Sequence, residues 1–564
     1  MRLAPRWSVV AFLLLLLLGI ALRVIGILHT SPTSVVNMPL PDDAFYYFTL
    51  ARNVASGEGF VISGDGLPTT GFQPLWGFIL SAAGWFLGTA PPTHLILISQ
   101  ILGALIGIAT ALLIFDLTIR ITQHELVALF AFGVYLLSPQ IVKHNLNGME
   151  TSLAFFALLL LLEMFLDFKL NQALPRQVFI LGLTCGFAFL ARVDLILFIA
   201  GAMIIIAISA RPWASTQTLR GFFLRLALFG IGFLLAMVPW IWLGLSTGLG
   251  LIPESGEAVR NLTLMVRHMP LLSFPESIRE APELFVPYYF ENAVEFTSAW
   301  VRQVPLLLPL TIPLFAVFSN QQAIELTSIL AILVLIGTYA LSARIANAAV
   351  KRAFRIWLIY LLLMTLAYMF FIQVPWFHQR YAAPIGMAFS FLILAILIPP
   401  LLSLRSGKWL AIAGASAVAF GFAILVLRGS YMWILRGEEA VPEDGFYQAS
   451  EYIGQNLPAE ARVGVFSAGL MGYYSKQPVI PLDGKVNQNA KRALEESRMF
   501  TYICEADIEY IADWEKMVNS LLIRRSQEWN DDNLKLLHIM EVENYNDIMI
   551  YEVNREACDA FPGG

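Results

Sequence analysis

Two adjacent carboxylates carry the most informative chemistry in this sequence. Asp42 and Asp43 follow the first apolar segment, within the stretch Met38-Pro-Leu-Pro-Asp-Asp-Ala-Phe-Tyr-Tyr47. One carboxylate of such a pair can accept a proton from a hydroxyl group, while the other orients the acceptor, a metal ion or its neighbour. The same residues could instead cap the helix predicted over 43–55, because a carboxylate stabilises a first helical turn. The residues alone leave both interpretations open.

Cationic side chains that could bind a phosphate group lie in three other places. Arg380, beside His378, is the best candidate because a guanidinium can contact two phosphate oxygens at once. Arg192 and Arg52 are weaker candidates for the same role. Arg380 could instead extend its charge to the membrane surface from a helix start, and Arg52 could pair with an acid on its own helix.

Composition places the chain in a membrane. Hydrophobic residues make up 58% of the 564 residues and charged residues only 14%, and the mean hydropathy is +0.68. These values predict a polytopic α-helical membrane protein. The segment Trp7–Leu28 is too long and too uniformly apolar for a signal peptide, so we interpret it as a retained first span. The net charge of −5 excludes a strongly basic, nucleic-acid-binding character.

Apolar runs recur along the membrane part, and each span needs about 20 residues at helical rise. They predict 11 to 13 transmembrane helices over 7–28, 94–119, 125–146, 150–168, 193–210, 221–246, 323–343, 354–373, 381–402 and 408–427, with shorter runs at 72–88, 177–192 and 302–318. Basic clusters at the ends of these runs indicate the cytoplasmic side. The opposite face then holds the loops that carry Asp42, Glu150, Arg192 and Arg380. With the basic clusters on the cytoplasmic side, the runs 72–88 and 302–318 must be partial or re-entrant helices. If both runs span fully instead, the Glu150 and Arg192 loops lie inside. The sequence leaves that open.

The predicted organisation is a membrane domain over 1–436 followed by a water-soluble domain over 437–564. The membrane domain carries long outer loops at 29–71 and 248–300. From Glu438 onward we count 23 acidic against 11 basic residues. Helical stretches alternate there with short β-rich runs, which indicates an α/β domain. The runs are Arg462–Phe466, Val479–Leu482, Ile508–Ala512, Leu536–Val542 and Ile548–Val553. An odd number of spans after a cytoplasmic N-terminus would place this domain on the extracytoplasmic side.

The sequence contains three cysteines, two of them in the tail. Cys504 and Cys558 could form a disulfide in an oxidising compartment, although two free or buried thiols fit the sequence equally well. Cys185 lies in a predicted span, where it is interpreted as part of the packing.

Six short motifs occur in order along the chain: Pro41-Asp-Asp-Ala-Phe-Tyr46, Ala51-Arg-Asn53, Gly57-Glu-Gly59, Thr69-Thr-Gly-Phe-Gln-Pro-Leu-Trp76, Asn147-Gly-Met-Glu-Thr151 and Arg380-Tyr-Ala-Ala-Pro384. The set resembles the GT-C glycosyltransferase superfamily, which includes protein O-mannosyltransferases, lipid A aminoarabinose transferases and mycobacterial arabinofuranosyltransferases. The likeness covers most of residues 1–430 and is specific in the first loop. In the tail, Tyr473-Tyr-Ser475 and Leu482-Asp-Gly-Lys-Val-Asn487 look like the extracytoplasmic domain of many bacterial members.

The resemblance implies an inverting glycosyltransferase of the bacterial inner (plasma) membrane. It would move a sugar from a polyprenyl-phosphate donor to a cell-wall glycan, a glycolipid or a protein. Asp42 matches the acidic first-loop position of the superfamily and would be the general base, with Asp43 as its partner. Glu150 would contact the acceptor or a metal ion, although it could also cap a helix. Tyr46 could hydrogen-bond a sugar, although we favour an anchor at the membrane interface.

One departure and three rival classes bear on this interpretation. The lipid A enzymes carry a Lys before the Pro-Leu that opens the next helix, whereas this chain has Phe72-Gln73, so another cation must bind the phosphate. A membrane-anchored receptor would not explain the first-loop carboxylates. A transporter would carry charges within its spans. The Trp-Trp-Asp motif expected of an oligosaccharyltransferase does not occur. A divalent cation is compatible with the carboxylates but not required by the sequence.

Overall fold

The computed structural model of the protein describes residues 6–29, 40–88, 92–210, 216–344, 348–403, 443–527, 529–542 and 546–559. The contacts divide the chain into two compact units. The first contains Met1–Leu28, Ile101–Pro239 and Val286–Arg436, and the second contains His29–Gln100, Trp240–Phe285 and Gly437–Gly564. The boundary predicted at 436 and 437 coincides with one change of unit, but the second unit also includes two earlier segments.

Helices make up most of the described chain before the tail. Before the tail, the described α-helices are Arg6–His29, Asp42–Ser56, Pro74–Leu87, Pro92–Thr122, Glu125–Leu137, Pro139–Leu146, Thr151–Leu166, Pro175–Ala191, Leu195–Ala210, Thr216–Thr247, Ser255–Val266, Glu276–Glu280, Pro282–Arg302, Leu308–Val317, Asn320–Ala343, Ala348–Ala367 and His378–Ser403. The predicted outer loop 248–300 is therefore largely helical. In the described residues of the other predicted loop, 29–71, the Asp42–Ser56 helix is followed by turns.

Six described helices are long and apolar enough to cross a membrane: Ser8–His29, Thr93–Thr122, Leu219–Thr247, Asn320–Ala343, Ala348–Ile372 and Pro375–Leu397. Two bent pairs pass the same test, namely Glu125–Leu137 with Pro139–Leu146 and Pro282–Arg302 with Pro305–Val317, and four shorter apolar helices accompany them. The protein is thus a multi-pass membrane protein, as composition predicted. The predicted run 408–427 lies outside the described residues.

The two runs that were predicted to be partial or re-entrant, 72–88 and 302–318, contain short helices. Pro74–Leu87 has 14 residues, fewer than the roughly 20 that a perpendicular span needs. The other run bends by 88° between Arg302 and Pro305, and the helix beyond it, Leu308–Val317, has 10 residues. Pro305 explains the break, because proline has no N–H to continue the preceding helical ladder but fits the first turn of a new helix.

The tail contains a five-stranded sheet formed by β1 Val463–Val465, β2 Val479–Pro481, β3 Tyr510–Trp514, β4 Leu534–Met540 and β5 Ile548–Val553. The strand order is β2-β1-β3-β5-β4. The first three strands are parallel, whereas β5 runs antiparallel to β3 and β4. The α-helices of the tail are Glu443–Asn456, Ala468–Tyr474, Gln488–Glu495, Met499–Glu505, Glu515–Met517 and Arg555–Asp559. The predicted α/β class is confirmed.

The core of the second unit combines distant parts of the chain. Leu262 and Met265, on the Ser255–Val266 helix, belong to the same buried cluster as Phe466, Ile480 and Ile511 of the tail. Asn261 on that helix donates to the Glu495 carboxylate, with an N–O distance of 2.7 Å. Burial of such apolar side chains contributes about 1.5–3 kcal/mol each. The second outer loop therefore helps to fold the tail.

The two tail cysteines form a disulfide in the structure, with Cys504 and Cys558 Cα atoms 5.4 Å apart. They join the Met499–Glu505 helix to the Arg555–Asp559 helix at the end of the chain. The sequence had left free thiols equally open. Cys185 is buried and unpaired, in agreement with a packing role.

Candidate functional site

Asp42 begins the Asp42–Ser56 helix, but its side chain reaches the tail. Its Oδ1 accepts the backbone N–H of Leu470 at 2.7 Å, and its Oδ2 accepts that of Gly469 at 3.2 Å. Both donors lie in the first turn of the Ala468–Tyr474 helix. A carboxylate is favourable there because the first N–H groups of a helix have no partners within it and carry partial positive charge. Asp42 thus caps a helix, though not its own.

Gly469 makes this close approach possible. A Cβ atom at this position would lie 2.1 Å from the carbonyl oxygen of Asp42. Any side chain would therefore push the Ala468–Tyr474 helix away from the first-loop helix. The glycine is required by packing, since its φ is not in the left-handed region.

Burial raises the pKa of Asp42 to about 6. The Lys485 ammonium and the two backbone N–H groups oppose this rise, whereas Asp43 adds to it. Asp513, on β3, is a further carboxylate that interacts electrostatically with Asp42. A carboxylate that ionises just below neutral pH is well matched to the work of a general base.

Asp43 belongs to a charged cluster with two residues of the tail. Lys485 Nζ lies 3.2 Å from Asp43 Oδ1 and 2.9 Å from Asp483 Oδ2. The same ammonium lies 5.2 Å from the ring centroid of Tyr46, and the Tyr46 hydroxyl donates to Asp483 Oδ2 at 3.5 Å. Tyr46 is therefore part of this cluster, which we call the acidic cluster: Asp42, Asp43, Tyr46, Asp483 and Lys485.

A tight turn presents the two tail residues of the acidic cluster. Asp483 Oδ1 accepts the backbone N–H of Lys485 at 2.9 Å, and Gly484 between them has φ +74°. The first loop meets this turn at Gly71, where a Cβ atom would lie 2.1 Å from the Lys485 carbonyl oxygen. Gly484 allows the positive φ of the turn, and Gly71 allows the first loop to approach the turn closely.

Arg52 lies at the other end of the helix that Asp42 caps. Its guanidinium donates to the carbonyl oxygens of Tyr473 at 2.9 Å and Gly472 at 3.3 Å. A cation at a helix C-terminus complements the helix dipole, as Asp42 does at the N-terminus. These contacts give Arg52 a structural role in holding the tail, in place of the ion pair on its own helix that the sequence allowed.

In the first unit, Arg192 is fully buried and surrounded by acceptors. Its Nε donates to Asp194 Oδ1 and its Nη2 donates to Asp194 Oδ2, both at 2.7 Å. It also donates to the backbone carbonyls of Tyr381 at 2.7 Å and Arg380 at 3.4 Å. Arg192 thus fixes the backbone beside Arg380.

Arg380 is half-buried and presents its guanidinium against aromatic rings. Its Cζ lies 4.9 Å from the ring centroid of Phe377 and 5.0 Å from that of Tyr381, and its Nη2 donates to the Tyr381 hydroxyl at 3.1 Å. His378 is buried, with Nδ1 3.9 Å from Glu295 Oε2 and its ring against Phe296. Arg380 and His378 thus start the same helix but have different surroundings.

Glu150 is buried, with 1% of its surface exposed, directly before the Thr151–Leu166 helix. A polar network holds its neighbours in place. Arg23 donates through two nitrogens to Asn145 Oδ1, at 2.7 and 3.0 Å, and Asn145 donates to Ser152 Oγ at 2.8 Å. The structure therefore presents Glu150 from a fixed turn of the first unit.

Three residues of the second unit escaped the sequence analysis. Asp483 and Lys485 lie in the motif Leu482-Asp-Gly-Lys-Val-Asn487, which was used only to compare the tail with the extracytoplasmic domain of other members and not to assign site residues. Asp513 is buried and accepts the Ser467 N–H at 2.7 Å, next to the helix that Asp42 caps, and burial raises its pKa to about 7. The charges within this motif could have identified Asp483 and Lys485 as candidate site residues. No sequence signal identifies Asp513, because it lies in an otherwise ordinary strand.

In the parts of the chain that the structure describes, no group of three or more His, Cys, Asp or Glu side chains is placed to hold a metal ion. Asp43 and Asp483, the two carboxylates that converge, have the Lys485 ammonium between them. The acidic cluster does not fit a metal ion in this arrangement.

Comparison with known proteins places these units in a wider context. Residues 434–551 match a family described as a domain of unknown function, DUF8728. No curated protein matches the sequence. Among solved structures, the Archaeoglobus fulgidus oligosaccharyltransferase in its apo form is 15% identical, with a TM-score of 0.53 over 92% of this chain and 70% of its own.

Two ligand-bound structures are similar to the same extent. ArnT from Cupriavidus metallidurans bound to undecaprenyl phosphate is 14% identical, with a TM-score of 0.52 over 97% of this chain and 98% of its own. The A. fulgidus oligosaccharyltransferase AglB with an inhibitory peptide and a dolichol-phosphate is 14% identical, with a TM-score of 0.51 over 91% of this chain and 70% of its own. At this level of identity the likeness concerns the fold, and the chain has the fold of the GT-C glycosyltransferases.

Proposed function

We propose that the protein is an inverting glycosyltransferase that moves a sugar from a polyprenyl-phosphate donor to a hydroxyl group of an extracytoplasmic acceptor. Asp42 accepts the hydroxyl proton. The acceptor oxygen then forms a bond to the anomeric carbon as the bond from that carbon to the phosphate oxygen breaks. The lipid phosphate leaves with the electron pair, and no covalent enzyme intermediate forms.

The acidic cluster is the observation that carries this role. Its member Asp42 combines a pKa of about 6 with a position fixed by two backbone N–H groups. A general base needs both properties, since it must be ionised at the working pH and held in one geometry. Asp43 is its partner through Lys485, and Glu150 is proposed as a contact to the acceptor.

Arg380 is proposed to bind the donor phosphate. Its guanidinium is half-buried between aromatic rings, and Arg192 fixes the backbone that carries it. A guanidinium in such a place can stabilise the negative charge that develops on a leaving phosphate. The GT-C fold supports a lipid phosphate as donor, because the similar structures of ArnT and AglB contain undecaprenyl phosphate and dolichol-phosphate.

Undecaprenyl phosphate should stabilise the purified protein. Binding to the folded state alone adds about 2.7 kcal/mol at a hundredfold excess over Kd, and a thermal-unfolding series in detergent measures this as a rise in Tm. Undecaprenol is the matched control because it has the same chain without the phosphate. Equal shifts with both lipids would show that the protein does not recognise the phosphate.

The Cys504–Cys558 disulfide supports an extracytoplasmic tail, since disulfides persist in oxidising compartments. We propose that the protein lies in the bacterial inner membrane with the first loop and the tail outside. Leu67 is 38% exposed, and the Lys535 side chain is 74% exposed. Cysteines introduced at these two positions should react with an impermeant maleimide in whole cells. A cysteine at the exposed Arg176 should react only after lysis. Labelling of Lys535→Cys only after lysis would invert this topology.

A further inference from the structure

We propose that Lys485 is the built-in cation of the acidic cluster, so that its ammonium group does between Asp43 and Asp483 what a divalent metal ion would otherwise do. The inference rests on the proposed function for its chemistry, but the occupancy of the two carboxylates is a property of the fold. A residue of the DUF8728-like tail thereby becomes part of the first-loop site.

The geometry of the ammonium carries the proposal. Lys485 Nζ lies 3.2 Å from Asp43 Oδ1 and 2.9 Å from Asp483 Oδ2. An ammonium group has three donors and no acceptor, so two donors serve carboxylates from two distant parts of the sequence. A divalent ion that bridged these carboxylates would need the same position between them, at metal–oxygen distances of about 2.0–2.6 Å. Ion and ammonium therefore exclude each other.

The surroundings keep Lys485 charged and in place. The exposed fractions of the three side chains are 15% for Lys485, 15% for Asp43 and 3% for Asp483. Burial by itself would lower the pKa of Lys485, but Asp43 and Asp483 hold it well above its usual value. Charges this far from water are retained when they are paired. The ammonium also faces the Tyr46 ring at 5.2 Å, which a cation favours.

The turn leaves Lys485 little freedom to withdraw. Its backbone N–H is held by Asp483 Oδ1, and its carbonyl oxygen lies against Gly71 of the first loop. The ammonium is therefore positioned by the tail and by the first loop together. This arrangement differs from a mobile surface lysine such as Lys535, whose side chain is 74% exposed.

Binding of Mn²⁺ to the purified full-length protein tests the proposal without any sugar substrate. The wild type should show no stoichiometric Mn²⁺ binding by electron paramagnetic resonance of the free ion. Lys485→Ala should gain one site, with affinity about tenfold or more above the wild type, because the two carboxylates lose the ammonium group between them. Adding Asp43→Asn to Lys485→Ala should abolish that site.

Lys491→Ala is the matched control, since Lys491 also contacts two carboxylates, those of Glu257 and Glu495, outside the acidic cluster. It should leave Mn²⁺ binding as in the wild type. Lys485→Arg, which keeps the charge, covers the case in which Lys485→Ala does not fold, and it should not bind Mn²⁺.

Stoichiometric Mn²⁺ binding by the wild type that Asp43→Asn or Asp483→Asn removes would overturn the proposal, as would a folded Lys485→Ala that gains no site. These results concern the metal alone. A protein with no glycosyltransferase activity could still give either outcome, so the two proposals can fail separately.

Discussion

Replacing Asp42 with Asn is expected to reduce sugar transfer by on the order of 10²–10⁴-fold, the usual contribution of a general base. The amide cannot accept the proton of the acceptor hydroxyl. Transfer is followed as release of undecaprenyl phosphate from its sugar conjugate in membranes that contain the protein. Undecaprenyl phosphate should still raise the Tm of the variant, because donor binding is assigned to Arg380.

The structure also sets the cost of this substitution for folding. Both Asp42 oxygens accept backbone N–H groups, those of Gly469 and Leu470. In Asn, the NH₂ group that replaces one oxygen would face one of these N–H groups, so two donors would point at each other. We expect a loss of about 1–3 kcal/mol in stability, and activity must be normalised to folded protein. Asp65→Asn is the matched control, since Asp65 is a first-loop aspartate that accepts the Leu67 N–H at 3.2 Å. Full specific activity in folded Asp42→Asn would reduce Asp42 to a cap of the Ala468–Tyr474 helix.

The pH dependence follows from the same carboxylate. Only ionised Asp42 can accept a proton, so kcat/KM should rise with pH and level off above a pKa of about 6. Stability should move the other way. Because the pKa in the folded protein is raised from 3.8, ionisation opposes folding, and this destabilisation appears between about pH 4 and pH 6 as pH rises. Asp42→Asn should remove this pH dependence of kcat/KM and Asp42's share of the stability loss, whereas Asp513, whose pKa burial raises to about 7, should keep its own share.

Replacing Arg380 with Ala is expected to weaken undecaprenyl phosphate binding by about 10- to 100-fold, the range for a lost hydrogen bond to a charged group. Arg380→Lys should restore it only in part, because a point charge lacks the two-pronged contact of a guanidinium. The Tm series with undecaprenyl phosphate and undecaprenol measures both variants. Only the phosphate-dependent part of the shift should fall.

Arg302→Ala is the control for Arg380. Arg302 also lies against an aromatic ring, with its Cζ 4.7 Å from the centroid of Phe315, and no phosphate role is assigned to it. It should leave lipid binding unchanged. Wild-type affinity in Arg380→Ala would place the phosphate site elsewhere. Arg192 is unsuited as a replacement, since Asp194 and two backbone carbonyls already hold its donors.

A good deal of the architecture could be predicted from the sequence because it depends on local patterns. Runs of about 20 apolar residues predict membrane helices wherever they occur, and six such helices are present among the described residues. Short β-rich runs between helical stretches predicted the tail strands, and all five formed. The pattern of basic clusters predicted that 302–318 would be partial or re-entrant, and the chain bends there at Pro305, whose missing N–H acts within its own helix.

Local patterns are enough to identify a multi-pass membrane protein with an α/β tail and an acidic first loop, since apolar periodicity and helix propensity act between near neighbours. The contacts of the acidic residues depend instead on the tertiary structure. Asp43 meets Lys485 across 442 positions of the chain, and Asp42 meets Leu470 across 428. Such pairs depend on how separated segments pack, and no local pattern encodes that packing. For the same reason, Arg52 became a helix-end contact of the tail, and Lys485 became the cation beside Asp43.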